Sequence, residues 1–209
     1  MASDFDERAA TWDDDPAKTE RAREIAAALR AAVPLDGRTR LLEYGAGTGL
    51  LCEALADDVG SITLAEPSEG MRQVIAAKVA AGTLPSDARI WDLDLVDAEV
   101  PDERFDVIAT VMALHHIPEL PPVLAGFARL LDEDGRLCVI DLEAEDGSFH
   151  ADRPGFHGHD GFDRDELSER LALAGFTDVR FTPGGQVTKD GRDYPLFMAV
   201  CTAPAHRDD

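Results

Sequence analysis

The stretch that decides the fold is Leu41-Leu42-Glu43-Tyr44-Gly45-Ala46-Gly47-Thr48-Gly49-Leu50-Leu51. Arg40–Tyr44 reads as a short buried strand, the alternate glycines as a tight turn, and Leu50–Asp57 as a helix. Glycine lets the backbone turn sharply and lets a ligand approach where a Cβ would collide. The helix that follows aims the positive end of its dipole at that ligand. The spacing is G-x-G-x-G. The dinucleotide fingerprint G-x-G-x-x-G/A would need Gly or Ala where this chain has Leu50. A nicotinamide reductase would also need a catalytic Tyr/Lys pair, and neither Tyr44 nor Tyr194 has a Lys four residues on.

Working outward, helices and apolar strand runs alternate. Helices are predicted at Pro16–Ala32, Ser68–Ala80, Glu119–Leu131 and Asp163–Ala174. Strands are predicted at Ser61–Glu66, Ala88–Leu93, Phe105–Met112 and Arg136–Asp141. A closing hairpin pairs Asp178–Thr182 with Tyr194–Cys201 across Lys189-Asp190-Gly191. Apolar strands spaced by helices indicate an α/β fold, a doubly wound parallel sheet covered on both faces and ending in an antiparallel hairpin. Ligands in such sheets sit at the carboxyl ends of the strands. The second strand ends at Glu66, 21 residues after Gly45, the interval expected for an acid that accepts from a ribose diol. The third ends in Trp91-Asp92-Leu93-Asp94, where Asp92 or Asp94 can accept from the exocyclic amine of an adenine while Leu93 packs on the ring. The fourth runs through Val111 into Leu114-His115-His116-Ile117-Pro118.

Together these segments resemble class I S-adenosylmethionine-dependent methyltransferases. The resemblance rests on Leu42–Gly49, Ala65-Glu66-Pro67-Ser68-Glu69-Gly70-Met71, the Asp92–Asp94 region, Phe105–Ile108, Leu114–Ile117 and the Leu130–Leu137 turn into the fifth strand. It spans roughly residues 5–201. It implies a seven-stranded Rossmann-like sheet in the order 3-2-1-4-5-7-6 with strand 7 antiparallel. S-adenosylmethionine is the implied cofactor and S-adenosylhomocysteine the product. Gly45, Ala46 and Gly47 would lie against the methionine part and Glu66 would hold the ribose. Pro67 and Met71 would flank the adenosine, Asp92 or Asp94 would hold the adenine amine, and Val111 would line the cofactor near the methyl group. The implied reaction is in-line displacement onto a small-molecule acceptor. The alternatives are a non-catalytic cofactor-binding protein and a methyltransferase acting on a protein. His116 and His115 are the candidate bases for the acceptor's proton, and His150 and Trp12 the candidate acceptor contacts. No metal ligand is assigned, since His157-x-His159 beside Asp160 reads as ordinary loop.

Composition narrows the partners. Against 27 Asp and 15 Glu stand 17 Arg and 3 Lys, a formal net charge of −22. Such a surface repels nucleic acid and anionic membrane faces. A GC-rich genome or a salt-adapted cytoplasm would each give this balance. Hydrophobic content of 44% is too high for a disordered acidic tail. Cys52, Cys138 and Cys201 lack paired spacing, so core positions are expected for Cys138 and Cys201. Met1–Asp6 has neither the basic nor the apolar run of a secretory signal, so the expected setting is cytoplasmic, as a monomer or homodimer. Residues 1–36 are expected to form a cover segment and helix, 37–203 the methyltransferase domain, and 204–209 a polar tail. Phe5 and Trp12 would either close over the site or act as a staple against the body.

Overall fold

The computed structural model describes residues 4–205. Residues 1–3 of the expected cover segment and 206–209 of the expected tail lie outside them. The described chain divides at Ala98/Glu99 into two compact units.

In the first unit, a short helix α1 (Asp4–Arg8) and a 3-10 turn (Ala9–Asp14) precede α2 (Pro16–Ala32). The Asp15 side chain accepts from the Ala17 amide, and Pro16, which has no N–H to satisfy, opens the helix. Ala22, Ile25, Ala26 and Leu29 form its buried stripe at helical spacing. Then follow β1 (Arg40–Tyr44), α3 (Leu50–Leu55), β2 (Ser61–Ala65), α4 (Glu69–Ala81) and β3 (Arg89–Trp91). Ser68 caps α4 by accepting from the Met71 amide, and Gly82 closes it in the left-handed conformation. β2 pairs in parallel with both β1 and β3, with Thr63 opposite Leu42 on one side and Arg89 on the other.

The second unit holds β4 (Phe105–Val111), a 3-10 turn (Leu114–His116), α5 (Leu120–Leu130), β5 (Leu131–Leu142), α6 (Arg164–Leu173), β6 (Thr177–Lys189) and β7 (Arg192–Thr202). β4 and β5 are parallel, while β7 runs antiparallel to both β5 and β6. Asp190 and Gly191 both have positive φ, the backbone that a tight right-twisted hairpin demands. The seven strands are ordered β3-β2-β1-β4-β5-β7-β6, as the resemblance implied. No helix among the described residues is long and apolar enough to cross a membrane.

Element boundaries moved where local signals compete with pairing. β3 is shorter than expected and stops at Trp91, leaving Asp92 and Asp94 in the turn beyond it. β5 starts five residues earlier than expected and runs through the Asp134-Gly135 turn with Asp134 in the left-handed region. β6 continues past the expected end at Thr182 through Pro183-Gly184-Gly185, a sequence that reads as a breaker. A register shift between Pro183 and Gly185 absorbs the interruption. Gly184 is required there, since a Cβ would lie 2.5 Å from the Phe197 carbonyl oxygen.

Cys138 and Cys201 are buried core residues, as expected, and Cys52 is buried as well. Burial pushes the Cys201 thiol up to about 12. Glu43 is the less usual core member. Burial pushes its carboxyl up to about 7, against the lowering effect of hydrogen bonds from Cys52. The Cys52 amide donates to its Oε2 at 3.2 Å. Its folded pKa lies above the ordinary carboxylate value, so its contribution to stability is fully present below about pH 4.5 and is lost as pH rises through about 7. Glu43→Gln keeps an acceptor for Cys52 and removes the titration. The gain in melting temperature over the wild type is expected to be larger at pH 8 than at pH 5, read by thermal melts at both.

Candidate active site

The first unit builds a cradle at the ends of β1 and β2. After Tyr44 the backbone passes through Gly45, Gly47 and Gly49, all at positive φ. The Gly45 and Ala46 amides donate to the Ala65 carbonyl at 2.9 and 3.2 Å, which pins the loop to β2. A Cβ on Gly47 would meet nothing within 4 Å, so space is open over the loop there. A Cβ on Gly49 would sit 2.8 Å from Leu64 Cδ2, so Gly49 serves close packing as well as the turn.

Glu66 follows β2 and is 7% exposed. Its Oε2 accepts from the Gly47 amide and its Oε1 from the Ser68 amide, each at 2.8 Å. Burial raises its pKa, opposed by those two amides and by the Arg72 charge. Each carboxylate oxygen has a second lone pair, so both can still accept from a vicinal diol. Carboxylate, glycine loop and open space form a donor and acceptor set that fits the ribose and methionine ends of S-adenosylmethionine.

Around this cradle the structure places the other expected residues. Met71 and Leu93 are buried, and Pro67 is exposed. Asp92 is largely exposed and is gripped by both guanidinium nitrogens of Arg72, at 2.9 and 3.0 Å. Asp94 is exposed and accepts from the Val96 amide through Oδ1. Arg72 also donates to the Glu66 and Pro67 carbonyls, at 2.8 and 2.7 Å. One cation therefore ties the turn after β2 to the turn after β3. Sequence reasoning missed it, because nothing in the spacing of Arg72 and Asp92 announces a pair.

The leading segment is fastened to the cradle. Asp6 accepts from the Ser68 hydroxyl at 2.6 Å and the Gly70 amide at 2.9 Å. Asp13 accepts from the Thr48 hydroxyl at 2.6 Å and pairs with Lys78, which also reaches Glu53. Trp12 is half-buried, with the Lys18 ammonium 3.9 Å from its ring centroid and the Arg8 guanidinium at 4.9 Å. The expected cover segment names no partners in sequence, because Thr48, Ser68 and Gly70 lie 35 to 64 residues from the aspartates that hold them. Asp6→Ala removes two hydrogen bonds to a charged acceptor. It is expected to cost about 1–3 kcal/mol in chemical unfolding.

The second unit carries the histidines. Val111 ends β4 half-buried, Met112 adopts a left-handed φ of 53°, and the Leu114–His116 turn follows. His115 is buried. Its Nδ1 lies 2.5 Å from Asp141 Oδ1, and its amide donates to Asp141 Oδ2. His116 is half-buried, its ring centroid 4.1 Å from that of His115. His150 is buried and stacks on Phe156 at 3.7 Å, with His115 and His116 at 5.2 and 5.3 Å. Burial, followed by the neighbouring His115, lowers the His150 pKa to about 4. The Lys189 ammonium donates to the Phe149 carbonyl and to Asp152, fastening the loop that presents His150. His159 docks through its amide on the His115 carbonyl at 2.7 Å, whereas His157 is exposed. The structure thus gathers His115, His116 and His150 and keeps His157 apart from them.

The chain is similar to known proteins. A family profile described as a methyltransferase domain matches residues 17–180. The 27-O-demethylrifamycin SV methyltransferase of Amycolatopsis mediterranei is 34% identical over 136 residues, 63% of this chain and 49% of that protein. A ubiquinone biosynthesis O-methyltransferase of Xylella fastidiosa is 35% identical over 107 residues, 51% of this chain and 43% of that protein. The chain spans about half the length of these curated relatives. Among solved structures, a chain in the complex between the Haloferax volcanii Trm112 methyltransferase activator and a methyltransferase superposes with a TM-score of 0.79 at 18% identity, covering 98% of this chain and all of that one. Magnesium protoporphyrin IX methyltransferase from Synechocystis, with bound S-adenosylhomocysteine, superposes with a TM-score of 0.65 at 18% identity, covering 88% of this chain and 83% of that one. The match over most of the chain, on this strand order and this glycine loop, makes the protein a member of the class I S-adenosylmethionine-dependent methyltransferase family.

Proposed function

We propose that the chain binds S-adenosylmethionine at the Glu66 cradle and directs methyl transfer to a small-molecule acceptor. The observation that carries this reading is the buried Glu66 carboxylate, held by the Gly47 and Ser68 amides beside open space over the glycine loop. When bound, the cofactor supplies an electrophilic methyl group on a sulfonium. Glu66 accepts from the ribose hydroxyls, and Gly45, Ala46 and Gly47 give the methionine end room. Met71 and Leu93 supply apolar contact and Pro67 borders the adenosine. Asp92 or Asp94 takes the adenine amine; Asp92 is also held by Arg72, and Asp94 by the Val96 amide. Val111 lines the methyl end. The leading segment with Trp12 limits water access, which protects a sulfonium from hydrolysis.

A small acceptor is favoured by the relatives, a 27-O-demethylrifamycin SV methyltransferase and a ubiquinone biosynthesis O-methyltransferase. It is favoured too by the net charge of −22, which disfavours a nucleic-acid acceptor. His116 accepts the acceptor's proton, and His115, braced by Asp141, positions it. His150 contributes to the acceptor contact.

Calorimetry with S-adenosylhomocysteine tests the cofactor site. The wild type is expected to bind, and Glu66→Ala to weaken binding about ten- to hundredfold. Unchanged affinity in a folded Glu66→Ala variant would exclude the cradle. A turnover assay on pooled metabolites, read by product mass, tests the acceptor class. On a hydroxyl acceptor, His116→Ala is expected to lower kcat by about 10²–10⁴ with little change in S-adenosylhomocysteine affinity. Cofactor binding with no turnover on any pool would instead favour a non-catalytic binder or a protein acceptor.

A further inference from the structure

His115, His116 and His150 each offer a ring nitrogen, and these atoms all lie within 4.8 Å of one another. Two of the three residues are buried. Nε2 of His115 and Nδ1 of His150 are buried without a hydrogen-bond partner. Orphaned buried polar atoms destabilise a fold, so a pair of them in one cluster calls for an occupant. Asp141 holds Nδ1 of His115 at 2.5 Å and is itself fixed by the His115 and Leu142 amides. A carboxylate on one imidazole nitrogen turns the other into a basic lone pair. The same arrangement stands behind metal-bound histidines.

We propose that His115, His116 and His150 bind one divalent transition-metal ion of the zinc type, with Asp141 bracing His115 and a fourth position open to water or another oxygen ligand. An all-nitrogen set suits zinc, cobalt or nickel, and disfavours magnesium or calcium, which take oxygen ligands. The strongly acidic chain concentrates cations around itself. This site goes beyond the methyl-transfer reading and does not depend on it. The two are linked in one respect: a nitrogen that holds a metal cannot accept a proton. The metal-loaded and the proton-accepting cluster are therefore alternative states, and zinc is expected to inhibit transfer to a hydroxyl acceptor.

The test uses the full chain without a histidine tag, stripped with chelator and titrated with Co²⁺. Binding is followed by visible absorption and equilibrium dialysis. The expected result is one Co²⁺ per chain, with the visible bands of a four- or five-coordinate ion, displaced by Zn²⁺. His150→Phe keeps a ring against Phe156 and removes the ligand nitrogen, so it separates coordination from packing. It is expected to abolish the bands while circular dichroism stays native. Asp141→Asn is expected to weaken Co²⁺ affinity about ten- to hundredfold. His157→Ala, on the exposed loop, is expected to leave it unchanged. No saturable Co²⁺ binding by the folded wild type overturns the proposal. Equal affinity in folded wild type and His150→Phe also overturns it. Neither outcome touches S-adenosylhomocysteine binding, so the metal site and the methyl-transfer reading fail separately.

Discussion

The pair of hydrogen bonds that the Glu66 carboxylate accepts from the Gly47 and Ser68 amides is the constraint on which the cradle depends. It joins the loop after β1 to the turn after β2 and the start of α4. Burial disfavours the charge of that carboxylate, and the two amides oppose the penalty. Other contacts add to the same junction. Arg72 reads the carbonyls of Glu66 and Pro67, and Asp6 reads Ser68 and Gly70. An acid suited to hold a ligand is thus also a brace, and its two roles use different lone pairs.

Much of the fold was legible because its signals are local. The Gly45–Gly49 turn, the Ser68 cap and the Asp190-Gly191 hairpin each depend on residues within a few positions. α2 occupies the expected span, since Pro16 marks its start and its apolar stripe marks its face. The cradle was legible for a related reason: alternating strands and helices bring consecutive strand ends to one edge, so Glu66 is placed by counting. Strand lengths were less legible. Pro183-Gly184-Gly185 carries a breaker's composition, yet its ladder partner Phe197 holds the strand together through a bulge. Pairing energy is not written in the segment that receives it.

The site's supporting shell was not legible at all. Asp141 to His115 spans 26 residues, Arg72 to Asp92 spans 20, and Asp13 to Thr48 spans 35. In a chain with 42 acids, no spacing rule picks out which carboxylates are committed. His150 is a candidate acceptor contact from sequence, but its ring partners His115, His116 and Phe156 are not legible there. Residues 157 and 159 stand out in sequence by being close together, whereas the structure brings His150 to His115 and His116 from a separate loop.

The shortage of lysine has its own consequence. The chain's three lysines are Lys18 on the Trp12 ring, Lys78 between Asp13 and Glu53, and Lys189 on the Phe149 carbonyl. Lys18 and Lys78 both hold the leading segment, through Trp12 and Asp13, and Lys189 holds the loop that presents His150. A compact ammonium offers three rotatable donors on a flexible stem, where a guanidinium offers a fixed planar fork. The chain therefore carries a sparse, built-in set of acylation reporters. The reactivity of each amine reads one contact, at the Trp12 ring, at the Asp13 and Glu53 carboxylates or at the Phe149 carbonyl, with no other lysine side chain to contribute.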